Sequence, residues 1–310
     1  MTDRLIKLED LHKFDNIDIL AKQVVEGFII GLHKSPYHGF SVEFAEHRIY
    51  NPGDPLKNID WRVYGRTDRM YVKRFEEETN LRCQIIIDTS SSMFFPEKGV
   101  EGKVPLNKFN FSALAASALM YMLKKQRDAV GLSLFSESLE EHTNARSTTI
   151  HHNILTAALQ NVLQNPVHNK GTSATKCLHQ IADNIHKRSM VIIFSDMFED
   201  GDSEDLFAAL QHFKYNKHEV ILFHVVDKKR EMDFEFENRP YQFIDIETGE
   251  EVKLRSNQVK DFYQTQMQKF KKELKLRCGQ FKIDFVEADI NQDFSQVLQS
   301  YLVKREKMYV

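Results

Sequence analysis

The sequence contains few cysteine, glycine, proline and tryptophan residues. There are 3 Cys, 12 Gly, 7 Pro and 1 Trp among 310 residues. The cysteines stand far apart in the chain, which excludes a disulfide-stabilised scaffold and a zinc site built on paired cysteines. The small numbers of Gly and Pro exclude long flexible linkers. We therefore expect a chain that folds around its own hydrophobic core.

The sequence also lacks a strong charge of either sign and any long apolar run. Lys+Arg is 42 and Asp+Glu is 45, for a formal net charge of −3. We expect no nucleic-acid partner, because the basic residues of segment 48–74 are balanced by acidic residues nearby. No run of 18 apolar residues is present, so we expect no membrane span. The acidic N-terminus has no signal-peptide core, which predicts a cytoplasmic protein.

From Arg82 onward, short apolar runs alternate with helical patterns. The apolar runs are residues 83–87, 129–135, 190–194 and 220–226, and they predict strands. We expect the strands at 190–194 and 220–226 to be buried, the former on both faces. Helical periodicity marks residues 106–123, 174–186, 205–213 and 257–277. Repeated strand–helix units predict an α/β fold with a mostly parallel sheet flanked by helices.

Two regions depart from this repeat. Residues 1–80 predict a smaller N-terminal α+β region, with a helix at 16–32 and short strands, before a main domain at 81–310. Trp61 lies in this region, and we expect it to anchor a core. Residues 227–254 are rich in aromatic residues and predict a β-hairpin inserted in the main domain.

Polar side chains follow the predicted strands. Asp88, Ser90 and Ser92 come directly after the first strand, and Asp196 follows the strand that ends at Phe194. Thr172 precedes the helix that starts at Ala174. The carboxyl ends of parallel strands meet at one edge of a sheet, so we expect these side chains to converge. Carboxylate and hydroxyl oxygens are hard donors, which suit Mg²⁺, with Mn²⁺ or Ca²⁺ as alternatives.

These residues resemble the metal-ion-dependent adhesion site of von Willebrand factor A domains. The Asp-x-Ser-x-Ser motif at residues 88–92, a threonine after glycine at 172 and an aspartate after a buried strand at 196 match that pattern in order. The resemblance implies that Ser90, Ser92 and Thr172 contact the metal. It implies that Asp88 and Asp196 bind the metal directly or through water.

The N-terminal region resembles a bacterial family labelled domain of unknown function 58. The matching segments are Gly39–Phe44, Arg48-x-Tyr50-x-Pro52-Gly53-Asp54, Ile59–Arg62 and Arg66–Asp68. One departure is Pro55, where the family has an acidic residue. Members carry a von Willebrand A-like domain and are associated with MoxR-type AAA+ ATPases.

This resemblance implies a non-enzymatic protein-interaction module without catalytic residues. Such a module would bind a partner's carboxylate through the metal and would work with a MoxR-type ATPase, and with other von Willebrand A-like proteins, in protein assembly or remodelling.

Alternatives remain for these residues. Ser and Asp are common in turns, and Thr172, Ser173 or Asp196 could act as helix caps. A Mg²⁺-dependent phosphohydrolase of the haloacid dehalogenase type is a second hypothesis, although it needs Asp-x-Asp and position 90 is Ser. A structural scaffold with an unused metal site is a third.

Overall fold

The computed structural model describes residues 17–32, 47–49, 61–73, 81–96, 106–166, 171–198, 203–237, 239–245 and 250–308. The helices are α1 Ile17–Leu32, α2 Trp61–Thr67, α3 Lys108–Lys125, α4 Thr149–Gln164, α5 Ala174–Asn184, α6 Ser203–Tyr215, α7 Ser256–Gln280 and α8 Ser295–Met308. The strands are β1 His47–Ile49, β2 Tyr71–Lys73, β3 Arg82–Asp88, β4 Ala129–Phe135, β5 Leu139–His142, β6 Met190–Ser195, β7 Glu219–Val226, β8 Pro240–Ile244, β9 Glu251–Arg255 and β10 Asp284–Asp289.

The main sheet of the described chain has six strands in the order β10-β7-β6-β3-β4-β5. Neighbouring strands are parallel except for β4 and β5, which pair antiparallel at one edge. The central strands are buried on both faces, because helices cover both sides of such sheets. The predicted α/β fold with a mostly parallel sheet is confirmed.

The hydrophobic core lies on both faces of this sheet. On one face, side chains of α5, α6 and α7, such as Leu178, Leu210 and Leu274, pack against alternate strand residues such as Val191. The intervening strand residues are equally buried, and α3 contacts β3, β4 and β7. Each fully buried aliphatic side chain contributes about 1.5–3 kcal/mol. Because the central strands are packed on both faces, the sheet fixes the positions of the loops at its carboxyl edge.

The chain divides into two compact units, Ile30–Asn80 and the combination of Met1–Ile29 with Leu81–Val310. In the smaller unit, β1 pairs antiparallel with β2. The interpretation of Trp61 as a core anchor is wrong, because this side chain is 59% exposed, and its ring meets that of Tyr64 edge to face with centroids 6.0 Å apart. Residues 39–44, 50–54 and 59–60, which carry much of the N-terminal resemblance, lie outside the described residues.

The predicted hairpin is present as β8 and β9, which pair antiparallel. A short π-helical turn at Lys228–Met232 leads from β7 toward it. Phe234 and Phe236 precede β8. Phe234 stacks on Phe243 of the hairpin and also meets Tyr263 of α7, and Phe236 meets Phe243 edge to face. This aromatic group attaches the inserted segment to the main domain. Within the described ranges, no helix combines the length and the apolar character that a membrane crossing requires.

His218, just before β7, should make the fold sensitive to acid. The imidazole is 0% exposed, and its Nδ1 accepts the Ser189 backbone N–H at 3.2 Å, so the ring is neutral. Burial lowers the pKa of His218 to about 4. The unfolded chain binds a proton near pH 6.5 and the folded chain does not, so stability is lost as the pH falls from about 6.5 to about 4.

We expect this histidine to account for about 2 kcal/mol of that loss. Urea unfolding at pH 7.5 and pH 4.5 measures it. His218→Asn keeps an acceptor for Ser189 but does not titrate, so its stability should fall less with acid. His186→Asn, at an exposed histidine, serves as the control and should keep the wild-type slope. Equal slopes for the His218 variant and the wild type would show that His218 is not the acid-sensitive group.

Candidate metal centre

The candidate site lies where the strand order of the sheet reverses. The chain leaves β3 for β4 and β5 on one side, then returns to β6, β7 and β10 on the other. Ligands of open α/β sheets bind outside the carboxyl ends of the strands at such a reversal. Asp88 ends β3 and Ser195 ends the adjacent β6. The sheet therefore brings the Asp-x-Ser-x-Ser loop beside the Ser195–Asp196 loop, as the sequence predicts.

Asp88 is fully buried and holds both loops together. Its Oδ1 accepts the Ser90 backbone N–H at 2.9 Å, and its Oδ2 accepts the Ser195 hydroxyl at 2.7 Å. Burial and the nearby charge of Asp196 raise the pKa of Asp88, while the hydrogen bonds from Ser90 and Ser195 oppose the rise. Among the described residues, no basic side chain makes a hydrogen bond or an ion pair with Asp88. A cation bound here would therefore be the first positive charge to pair with the Asp88 carboxylate and would favour its ionised form.

The two serines of the motif present their hydroxyls to each other. Ser90 stands at the start of a short 3-10 turn, Ser91–Phe94, and its Oγ lies 3.1 Å from the Oγ of Ser92. Ser90 is fully buried and Ser92 is partly exposed. The turn aims two oxygen donors at one point near the carboxyl end of β3. This is the arrangement that the two-residue spacing predicts.

Thr172 reaches this edge from the segment before α5. The Ser173 backbone N–H donates to Ser136 O at 2.9 Å, and the Gly171 N–H donates to Glu137 Oε1 at 2.9 Å. Both bonds anchor the segment to the residues just after β4, the other neighbour of β3. Ser173 occupies the N-cap position but makes no capping bond with its side chain. The Thr172 hydroxyl is buried and has no hydrogen-bond partner among the described residues.

Asp196 is already paired with a positively charged side chain of the protein, that of Lys108. The Lys108 Nζ donates to Asp196 Oδ2 at 2.7 Å, and the same ammonium donates to Glu231 Oε1 at 2.5 Å. The other oxygen of Asp196 accepts the Phe198 backbone N–H at 3.2 Å. One oxygen of Asp196, which the resemblance implies binds the metal directly or through water, is therefore already paired with the Lys108 ammonium.

Lys108 is the residue of this site that sequence reasoning missed. Its side chain is 1% exposed. Burial alone would lower the pKa of Lys108, but the charges of Asp196 and Glu231 outweigh burial and hold this pKa above its ordinary value. One signal was present in the sequence: a lysine in the first turn of a helix, where the helix dipole disfavours a cation.

The backbone around Asp196 is held by two further contacts. His224 Nε2 donates to the Asp196 carbonyl oxygen at 3.0 Å, and burial lowers the pKa of His224 to about 4, so the ring is neutral. Met197 has φ of 57°, in the left-handed region, and its N–H donates to the Ser195 hydroxyl at 2.8 Å. Strained residues of this kind cluster at functional sites. The hydrogen bonds made by His224 and Met197 therefore fix the backbone of the loop after β6.

The donor set fits a hard divalent cation. The unsatisfied Thr172 hydroxyl, the paired Ser90 and Ser92 hydroxyls and the Asp88 carboxylate are all oxygen donors of the type that Mg²⁺ takes. In the described part of the chain, no three His, Cys, Asp or Glu side chains converge as a metal-binding group. The candidate centre thus depends on hydroxyl groups and one uncompensated carboxylate.

The mostly parallel sheet carries the Asp-x-Ser-x-Ser loop at its strand reversal, as the resemblance to von Willebrand A domains leads one to expect. The chain belongs to the family described as "Protein of unknown function DUF58", whose model matches residues 46–273.

Relatives with a curated sequence include the uncharacterized protein Rv1480 of Mycobacterium tuberculosis H37Rv and Mb1516 of Mycobacterium bovis. Each is 23% identical over 180 residues, which are 58% of this chain and 55% of the relative. The chain thus spans about half the length of the curated relatives it matches.

Two solved structures have a similar chain trace. One is the conserved hypothetical protein BatB from Bacteroides thetaiotaomicron, with a TM-score of 0.45 and 14% identity over 74% of this chain and 98% of that chain. The other is the SpRpn10 VWA domain, with a TM-score of 0.37 and 13% identity over 71% of this chain and 94% of that chain.

Proposed function

We propose that this chain is a non-enzymatic protein-interaction module that binds a partner's carboxylate through a divalent ion, Mg²⁺ in the first instance. The observation that carries the proposal is the convergence of Asp88, Ser90 and Ser92 at the strand reversal. The buried Thr172 hydroxyl, which lacks a partner among the described residues, adds to it. Ser90, Ser92 and Thr172 would hold the ion, and Asp88 would orient its waters. When bound, the ion would supply an open position for an acidic side chain.

We further propose that the partner is a MoxR-type AAA+ ATPase or another von Willebrand A-like protein. The support is the family membership together with the resemblance in the N-terminal region. In this proposal the module presents a client to the ATPase during assembly or remodelling. A phosphohydrolase is less well supported, because position 90 is Ser and both oxygens of Asp88 already accept hydrogen bonds.

Mg²⁺ titration by calorimetry tests the metal-binding part of the proposal. The double variant Ser90→Ala with Ser92→Ala should bind Mg²⁺ more than about 100-fold more weakly. Loss of a residue that only orients a metal ligand already lowers metal affinity about 10- to 100-fold, and this variant loses two of the ligands themselves. Its fold should persist, since the Ser90 backbone N–H still donates to Asp88 and the two hydroxyls that bond to each other are removed together. The control, Thr265→Ala with Ser300→Ala, removes two hydroxyls from α7 and α8 and should bind as the wild type does. Absence of Mg²⁺ binding in the wild type would favour a structural scaffold.

A further inference from the structure

The ammonium of Lys108 joins two parts of the domain that are far apart in sequence. Asp196 lies 88 residues away along the chain and Glu231 lies 123 residues away. Asp196 is fully buried, and the side chain of Glu231 is 13% exposed. The bond to Asp196, at 2.7 Å, has the length of a charge-assisted hydrogen bond, and the bond to Glu231, at 2.5 Å, is shorter still. Lys108 is therefore the central member of a buried three-residue ionic cluster.

The position of Lys108 opposes two ordinary preferences. It is the first residue of α3, directly after the N-cap Asn107, where the helix dipole favours negative charge. It is also a buried ammonium, and removal of a charge from water is costly unless the charge is paired. Both penalties are offset only while both carboxylates stay in place. Residues that violate local rules in this way are expected at functional sites.

Glu231 connects the cluster to the inserted segment. It lies in the π-helical turn Lys228–Met232, and its second oxygen accepts the Asp227 backbone N–H at 2.8 Å. The chain continues from this turn to Phe234, which packs against the hairpin residue Phe243. A movement of the inserted segment would therefore move Glu231. The charge that Lys108 experiences would then change.

We propose that Lys108 is a positioning residue that sets the net charge of the candidate metal site at the carboxyl edge of the sheet. Through Glu231, this charge depends on the position of the inserted segment. This inference rests on the proposed metal-dependent function. With Lys108 bound to Asp196, an ion held by the hydroxyls of Ser90, Ser92 and Thr172 meets one uncompensated carboxylate, that of Asp88. Such an ion stays electrophilic toward an acidic side chain of a partner. Glu231 also pairs with the Lys108 ammonium, so its negative charge weakens the positive field that Lys108 exerts on the metal site.

The proposal predicts that two substitutions change Mg²⁺ affinity in opposite directions. Lys108→Met removes the positive charge and frees Asp196, so Mg²⁺ should bind about tenfold more tightly or better. Glu231→Gln leaves the ammonium to Asp196 alone and increases the positive field, so Mg²⁺ should bind a few-fold more weakly, on the order of threefold to tenfold. A merely structural role would give both variants unchanged or weaker binding, because each loses a buried partner.

Isothermal calorimetry with Mg²⁺ and the full chain tests this prediction, with circular dichroism as the check on folding. Arg305→Met is the matched control, since Arg305 is a mostly buried cation paired with Asp128 on other elements, and its Mg²⁺ affinity should equal that of the wild type. If Lys108→Met does not fold, Lys108→Gln takes its place, because it removes the same charge but keeps a hydrogen-bond donor for Asp196 and Glu231. Tighter Mg²⁺ binding by that variant supports the proposal, and equal or weaker binding overturns it.

The outcomes separate this inference from the proposed function. If the wild type binds Mg²⁺ and the Ser90 and Ser92 double variant does not, the metal site stands. Changes of the same sign, or no change, in the Lys108 and Glu231 variants would then overturn the role of Lys108 alone. If the wild type binds no Mg²⁺, the proposed function fails, and the inference fails with it.

Discussion

An Asp88→Asn variant should lose its response to Mg²⁺ while its metal-free form becomes more stable than the wild type. Asp88 is a fully buried carboxylate close to the charge of Asp196, and no described basic residue pairs with it. An amide at this position still accepts the Ser90 N–H, and its NH₂ can donate to the Ser195 oxygen. Removing the buried charge should stabilise the metal-free protein by about 1–2 kcal/mol.

Thermal unfolding with and without Mg²⁺ measures this prediction. At a Mg²⁺ concentration of about 100 times Kd, the wild type should gain about 2.7 kcal/mol, which is about 5–10 °C in Tm for a domain of this size. The variant should gain nothing. Asp227→Asn is the control, because Asp227 is equally buried at the end of β7 but is paired with Arg230. It should lose stability and keep the Mg²⁺ gain. An Asp88→Asn protein that is destabilised without metal would contradict this account of Asp88.

A Gly131→Ala variant should be destabilised by about 3 kcal/mol, because the core cannot accept one more methyl group there. A Cβ on Gly131 would stand 2.3 Å from the Gln84 side-chain oxygen and 2.5 Å from the Thr143 carbonyl oxygen. Gln84 needs that space, since its amide donates to Ser133 Oγ and to Thr143 O. The contact with Thr143 is to backbone, which cannot rotate away.

Urea unfolding of the two variants Gly131→Ala and Gly279→Ala checks this expectation. Gly279 lies in the last turn of α7, and nothing lies within 4 Å of a Cβ built there. Alanine at 279 should be neutral or stabilising by up to about 1 kcal/mol. The same substitution is thus expected to lower the free energy of unfolding at Gly131 and to leave it unchanged or raise it at Gly279. Equal stabilities of the two variants would show that the space around Gly131 is not restricted.

The buried strands of this domain could be predicted from sequence and the edge strand could not. The boundaries of β4, β6 and β7 differ from the predicted ones by no more than one residue, because apolar runs of that length must be buried on both faces. The edge strand β5, Leu139–His142, has no apolar run from which it could be predicted. Its residues are mostly polar, and only its pairing with β4 holds it in the sheet. Such pairing is a tertiary contact that leaves no periodic pattern.

The candidate site shows the same division between local and long-range information. Asp88, Ser90 and Asp196 could be placed at one edge because each follows a strand whose burial is evident from sequence. Lys108 could not, since its two partners lie at sequence distances that no local pattern encodes. Trp61 shows the converse: hydrophobicity alone predicts burial, yet the residue is exposed.

The most direct test of the central claim is the recovery of partner proteins from the source cell's lysate on immobilised protein. Wild type and Asp88→Asn are compared, each with Mg²⁺ and with chelator, and the bound proteins are identified by mass spectrometry. The variant matters because a MoxR-type ATPase itself uses Mg²⁺ with its nucleotide, so chelation alone could act on the partner. The account predicts that such an ATPase, or a client protein, is retained only by the wild type with Mg²⁺. Equal recovery in all four samples would contradict a metal-dependent interface.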